Sequence, residues 1–441
     1  MKITIQGHKI YLTRNSQSEY PWTSMILTML LLYMAPFVSQ WLALAAFAVC
    51  VYRVVRYDAR IFAVDYGLLI PIAVLMKLDS GVPLAIYLYL IAAIWYFVRD
   101  GLRAQPHMWA LLLLLLNYLL ARMQLDINDF VLLFGQVFAL FVLISKQDST
   151  SAEKAVKGYC VSLLISSAYA YLLRNTSALA GVTGMNSITM FGTNLKRFCG
   201  LAGDPNYYMT FVIVGIALVL KLRDRGAIGR GYFWVQIAGL SLLGALSYSK
   251  AFLLMYVLTI GIYVIWQFWN KKLVKGMVFT GIAIVAIFVI LTMEDSPFAV
   301  IINRLTSAQN LRDLTTGRTK IFALYWEAIT VGLPSLLFGK GLAAEALYRD
   351  PHMVYLEVVY YLGFVGIAVL FLAYFGIFRM ANKNCAGEVK QNLISKYIVL
   401  GLVLVAYLSL HGIFSQMFHG QMLMAVLGLM VTGNKSERTD D

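Results

Sequence analysis

Charge is scarce in this chain. Asp, Glu, Lys and Arg together make up 13% of its 441 residues, about half the share found in an ordinary soluble domain. A soluble surface on a chain this long needs more ionised groups than that. A soluble enzyme and a nucleic-acid-binding domain are therefore excluded. A disordered chain is excluded too, because disorder goes with low hydrophobicity and high charge. Cysteine is nearly missing: Cys50, Cys160, Cys199 and Cys385 are the only four, and no two form a CxxC pair. That spacing indicates neither a metal site nor a disulfide framework. There are only five histidines, at positions 8, 107, 352, 411 and 419. A cleavable leader is not expected, since the first apolar segment begins only near Trp22, after a polar stretch.

Apolar side chains are abundant. Hydrophobic residues make up 60% of the chain and the mean hydropathy is +0.74. A helical span of a bilayer needs about 20 mostly apolar residues, so this composition is enough for roughly a dozen. Apolar segments read at 22–37, 41–53, 62–77, 83–98, 108–124, 129–145, 155–173, 205–221, 232–248, 250–268, 273–293, 353–378, 394–411 and 416–432. Each is too long for a strand, and open sheets do not cross bilayers. The expected fold is an all-α polytopic membrane protein, 1–441 forming a single membrane domain with about 14 transmembrane helices (12–14).

Lys and Arg are enriched in cytoplasmic loops. With the N-terminus in the cytoplasm and sides alternating, that side collects most of the 36 basic residues, among them Arg53, Arg56, Arg60, Arg99, Lys221, Arg223 and Lys271. The net charge of +14 then reports orientation rather than a polyanion partner. Both termini are cytoplasmic in this scheme. Two long segments, 174–204 and 294–352, are extracytoplasmic loops. Loops beyond about 12–15 residues are usually functional or disordered. The first is rich in Gly, Ser, Thr and Asn. The second balances its acids and bases, and the spacing of Ile321, Phe322, Tyr325 and Ile329 beside Trp326 predicts a short amphipathic helix at the membrane surface.

These loops hold the residues that could do chemistry. Arg197 precedes a Gly-rich stretch ending in Asp204-Pro205-Asn206, which suits a helix start because Asp or Asn caps and Pro fits the first turn. Backbone N–H groups there, with a guanidinium, suit an anion. Arg318 follows Thr315-Thr316-Gly317, just before the amphipathic helix. Two arginines at one membrane entrance suit a diphosphate; the plainer reading has each anchoring its loop at the headgroups. His352 stands between the second loop and the next span. Its ordinary pKa of about 6.5 lets it take a proton from a hydroxyl near neutral pH, or it is an interfacial histidine bonded to backbone. His411 and His419 are second-tier candidates. Lys250, in a tight turn after Ser247-Tyr248-Ser249, either snorkels or helps to hold phosphate. Glu357 is an acid inside a span, costly unless functional or shallow. Gly339-Lys340-Gly341 could turn tightly round a phosphate, although the full P-loop pattern is absent.

Taken in order, these blocks resemble the O-antigen polymerase and ligase superfamily, the Wzy-type polymerases and related lipopolysaccharide ligases. The resemblance rests on Arg197-Phe198-Cys199-Gly200 leading to Asp204-Pro205-Asn206, then Ser249-Lys250. Gly317-Arg318 with Leu337-Phe338-Gly339-Lys340-Gly341 follows, and then His352 with Tyr355-Leu356 and Gly363. It covers about residues 197–366. Three positions depart from the family pattern: Lys250 where Arg is common, Met353 where Asn is common, and Tyr361 where an acid is common.

The resemblance implies a GT-C-like membrane glycosyltransferase of the bacterial cytoplasmic membrane, acting on undecaprenyl-pyrophosphate-linked glycan at the extracytoplasmic face. Arg197 and Arg318 would neutralise the pyrophosphate leaving group, and His352 would orient or deprotonate the attacking hydroxyl. Lys250, Asp204, Asn206, Lys340 and Glu357 are the candidate substrate-binding residues. No cofactor and no metal is expected, because arginines take the electrostatic role of a divalent cation. The implied partners are the lipid-linked donor, a glycan acceptor and membrane lipid, with a flippase and a chain-length regulator as accessory candidates and no nucleic acid. A ligase that transfers finished polymer to a terminal acceptor is the nearest alternative. A transporter or flippase of lipid-linked sugar is the more distant one, since it calls for ionisable groups at mid-membrane.

Overall fold

The computed structural model describes residues 2–5, 8–11, 20–78, 84–101, 109–110, 113–114, 116–117, 143–180, 186–190, 193–269, 277, 281, 297–307, 318–341, 353–384 and 418–431. The chain is mostly helical. Among the described residues four helices are long and apolar enough to cross a membrane: Ser149–Leu172, Pro205–Asp224, Lys250–Phe268 and Tyr355–Met380; Trp22–Val38 is apolar but shorter. The expected segments at 108–124, 129–145, 273–293 and 394–411 lie wholly or mostly outside the described residues.

The N-terminal part is a small strand pair, β1 (Lys2–Ile5) and β2 (His8–Tyr11), followed by helices α1 (Trp22–Val38) and α2 (Trp41–Arg56), which pack on each other. Helix α3 (Ala59–Leu69) starts at Asp58, whose carboxylate accepts from the Arg60 and Ile61 N–H groups at 3.1 Å; this is the N-cap bond that satisfies orphan donors of a first turn. It passes into a 3-10 turn, Ile70–Leu75, at Pro71, which has no N–H with which to continue the α ladder. Helix α4 (Leu84–Asp100) packs on α2. Helix α5 (Ser149–Leu172) opens with a reciprocal capping box between Asp148 and Ser151.

Three short elements fill the first long loop: helix α6 (Ser177–Ala180) and an antiparallel hairpin of β3 (Asn186–Met190) with β4 (Thr193–Arg197), in which Asn186 pairs with Arg197. This hairpin and the N-terminal one are departures from a purely helical chain. Helices α7 (Pro205–Asp224), α8 (Arg230–Ala245) and α9 (Lys250–Trp269) come next. The second loop carries α10 (Pro297–Thr306), α11 (Arg318–Ile329) and α12 (Leu333–Phe338). Helices α13 (Val354–Asn384) and α14 (Phe418–Met430) complete the described structure.

The centre of the bundle is α7. Of its span-length window 83% is buried inside the protein, because α5, α8, α9 and α14 all pack on it. Helix α9 is the opposite case at 22%, with Leu254, Val257 and Ile265 all more than half exposed. An exposed row of large apolar side chains this long is expected of a lipid-facing helix. Polar ties also cross the core: Tyr159 Oη donates to the Phe211 carbonyl (3.1 Å) and Ser162 Oγ to that of Leu68 (2.6 Å).

Arg53 does not lie in a solvated cytoplasmic loop, as the charge pattern suggested. Its side chain is 0% exposed and that of its partner Asp65 is 4% exposed. The guanidinium meets the carboxylate with two bonds, Nε to Oδ2 at 2.8 Å and Nη2 to Oδ1 at 2.6 Å. Its Nη1 donates to the Pro21 carbonyl (2.8 Å) and to Ser24 Oγ, and Tyr20 Oη donates to Asp65 Oδ1. A buried ion pair offsets its desolvation only with such geometry and with its remaining valences filled. The residue is a clamp joining the start of α1 to α2 and α3.

Candidate functional site

The first group of site residues gathers where α7 and α9 begin and α8 ends. Asp204 caps α7, its Oδ1 accepting from Asn206 N (2.7 Å) and Tyr207 N (3.3 Å), with Pro205 in the first turn. The expected helix start is therefore present. The anion expected at this helix end is already supplied by the protein, since the Asp204 carboxylate occupies the N–H groups offered to it. Asp204→Ala should cost about 1 kcal/mol of stability, read as a lower unfolding temperature in detergent. An unchanged midpoint would contradict the cap.

Arg197, at the end of β4, reaches the turn after α8. Its Nε donates to the Ser247 carbonyl (2.8 Å), and the neighbouring Phe198 N–H donates to the Leu246 carbonyl (3.0 Å). Carbonyls at a helix C-terminus lack intrahelical donors and carry partial negative charge, which favours a cation there. One of the five guanidinium donors thus docks the hairpin on the bundle. From the same turn Ser249 Oγ donates to Asn206 Oδ1 (3.1 Å), which orients the Asn206 amide. Lys250 is the first residue of α9, and no acid stands in that turn. A cation at a helix N-terminus stands at the positive end of the macrodipole, where anions are favoured.

Between these contacts lies Tyr248, the one non-glycine residue with positive φ (47°) among those described. Such a conformation costs about 1–3 kcal/mol and persists only where the surroundings impose it. Here Ser247 N–H and Tyr248 N–H bond the carbonyls of Gly244 (3.0 Å) and Ala245 (2.9 Å). Aromatic rings pack beside the turn: Phe198 meets Tyr171 edge-on at 5.8 Å and Tyr208 at 5.1 Å, and the Arg174 guanidinium lies 4.0 Å over Tyr171. Burial pushes the Tyr248 phenol above its ordinary pKa, and Tyr171 adds to the effect. Sequence reasoning passed over Tyr248, although its place between the two serines of a tight turn was a signal.

The second group surrounds the start of α13. Arg318 is the first residue of α11, again a cation at a positive helix end. That helix lays Tyr325 and Ile329 inward and leaves Trp326 about half exposed, the face expected from the spacing. Tyr325 packs edge-on against Tyr360 of α13 at 5.0 Å. Glu357 is buried, 3% exposed, in the first half of α13. That helix is not one continuous span: it breaks at Gly363 (φ 68°, ψ −170°).

The break is where the chain at 337–340 crosses it. Lys340 N–H donates to the Tyr360 carbonyl and Gly339 N–H to that of Ser335, each at 2.8 Å. The Gly339-Lys340-Gly341 turn therefore uses two of its N–H groups internally, which corrects the phosphate-cradle reading of its backbone. The Lys340 side chain remains half-buried. His352 lies outside the described residues, immediately before Met353.

The described contacts bring Arg197 to Ser247, Ser249 to Asn206 and Asn206 to Asp204 around one turn, which Lys250 follows in sequence, and place Arg318, Lys340 and Glu357 on elements packed together in a second group. Helix α10 reaches the first cluster's wall, where Phe298 packs 6.4 Å from Phe252 and 6.3 Å from Tyr256. Among the described residues no three His, Cys, Asp or Glu side chains come together as a metal site. Comparison with protein families, with curated proteins and with solved structures finds no match to this chain.

Proposed function

We propose that the chain is a membrane glycosyltransferase that polymerises undecaprenyl-pyrophosphate-linked oligosaccharide units, in the manner of the O-antigen polymerase and ligase superfamily. The proposal includes the fourteen-span, GT-C-like architecture, a bacterial cytoplasmic membrane, cytoplasmic termini and an extracytoplasmic site. The observation that supports it most is the docking of Arg197 on the Ser247 carbonyl, in the turn whose Ser249 bonds Asn206 and which Lys250 follows. Residues some 50 positions apart meet there, and Lys250 places an ammonium at a positive helix end. Two positive charges beside a helix terminus suit a pyrophosphate leaving group.

In this reading a hydroxyl of the acceptor glycan attacks the anomeric carbon and pyrophosphate departs with the bonding pair. Arg197 and Arg318 stabilise the charge that develops on the departing oxygens, and His352 accepts the hydroxyl proton. Backside attack inverts the anomeric centre. Lys250 holds a phosphate oxygen as a point charge rather than as a planar fork.

Arg197→Ala, Arg318→Ala and His352→Ala should each lower chain extension by at least ~100-fold, while the protein still elutes as one sharp peak in detergent. Normal-length polymer from all three would sink the assignment. Deleting the gene separates polymerase from ligase: single repeat units on the acceptor indicate a lost polymerase, and polymer stranded on the lipid carrier a lost ligase. Purified protein that lengthens lipid-linked oligosaccharide without ATP would exclude a carrier.

A further inference from the structure

We propose that Tyr248 is the residue on which the first sugar of the lipid-linked donor stacks, so that the α8–α9 turn reads the glycan as well as holding its pyrophosphate. This inference rests on the glycosyltransferase reading above. Four observations lead to it.

The first is backbone strain. Tyr248 holds a left-handed conformation, φ 47°, that glycine or asparagine would adopt at less cost. A tyrosine kept there points to a use for its side chain. The second is position. Ser247, before it, accepts from Arg197, and Ser249, after it, orients Asn206. The ring is therefore carried by the residue between the two that fix the cation and the amide. A sugar bonded to a pyrophosphate lies one ring away from that charge.

The third is the environment. The Tyr248 ring is half-buried against the core, beside the group formed by Tyr171, Phe198 and Tyr208. The fourth is chemical fit. A pyranose has an apolar face of C–H bonds and a rim of hydroxyls. An aromatic side chain with a phenol, in a turn whose next residue orients an amide, matches both parts. An acyl chain would gain nothing from the amide, and a free phosphate nothing from the ring.

The test uses the full chain in lipid nanodiscs with two kinds of probe. One is undecaprenyl pyrophosphate. The other is the same lipid carrying a single glucose, galactose or N-acetylglucosamine. The wild type should bind at least one sugar-bearing probe more tightly than the bare lipid. Tyr248→Leu and Tyr248→Gly should erase that difference, a loss of about 10-fold in affinity, and leave binding of the bare lipid unchanged. Tyr248→Phe, which keeps the ring, should stay within about 3-fold of wild type.

Equal losses for bare and sugar-bearing lipid, or no loss in either variant, would overturn the stacking role. Wild-type protein that binds the bare lipid but gains nothing from any sugar would overturn this inference and leave the pyrophosphate reading standing. Wild-type protein that binds no probe would overturn both.

Discussion

Gly363→Ala is expected to leave almost no folded protein after detergent extraction, and Gly339→Ala to do the same. At Gly363 a β-carbon would lie 2.2 Å from the Leu337 carbonyl oxygen, and at Gly339 it would lie 2.4 Å from the Tyr361 carbonyl carbon. Both obstacles are backbone, so no rotamer change relieves them. The crossing must open, which breaks the Lys340 to Tyr360 bond and unseats α12 from α13. The left-handed φ at each position, 68° and 75°, adds about 1–2 kcal/mol for any residue with a β-carbon. With the overpacking cost, each substitution loses roughly 2–5 kcal/mol. Gly341 is the internal control: its φ is +52° but none of the described residues lies within 4 Å of its missing β-carbon. Gly341→Ala should incur the backbone cost alone and remain extractable. Size-exclusion profiles of the three variants decide the matter. Equal profiles for Gly341→Ala and Gly363→Ala would show that the crossing is not what the glycine protects.

The second large effect is expected at the Arg53–Asp65 clamp. Asp65→Asn keeps the shape but leaves a guanidinium that is 0% exposed with no counter-charge, at a cost of about 3–5 kcal/mol. Arg53→Met strands the carboxylate instead and should be comparably damaging. The double variant Arg53→Met with Asp65→Leu removes both charges and should recover most of that loss. Recovery should be incomplete, since Arg53 also bonds the Pro21 carbonyl and Ser24 at the start of α1. Thermal unfolding in one detergent, compared across the four proteins, checks this. Additive losses in the double variant would show that the two charges do not act as a pair.

What could be read in the sequence follows from the range of the interactions involved. Asp204-Pro205 marks the start of α7 because capping is local, and α11 shows in the spacing of Ile321, Tyr325 and Ile329 because one helix face repeats within a few residues. The Arg53–Asp65 pair was hidden because its members lie on different helices, and Arg53 looked like one more loop cation. The crossing at Gly363 was hidden for the same reason: Gly339 and Gly363 are 24 positions apart, and a lone glycine in an apolar run reads as an ordinary helix residue. The β3–β4 hairpin was the nearer miss. Ile188 and Met190 alternate with Ser187 and Thr189, a period of two, but a Ser-, Thr- and Asn-rich segment reads first as loop. Of the candidate site, the cluster at Arg197 was traceable as separate blocks, and its assembly at the ends of α7, α8 and α9 was not.

The burial of α7 and the exposure of α9 divide the site between two evolutionary regimes. Helix α7 carries Asp204 and Asn206 at its tip and is buried along its middle, so most of its apolar side chains have a partner of fixed volume. Exchanges there should be rare and should come in compensating pairs. On the bilayer side of α9, which carries Lys250, Leu, Val and Ile can replace one another with little penalty, since lipid chains refill any shape. Related chains should therefore drift quickly along Leu254, Val257 and Ile265 while the α7 face stays nearly invariant. Two helices that pack on each other and carry one cluster at their ends would then record very different rates of change.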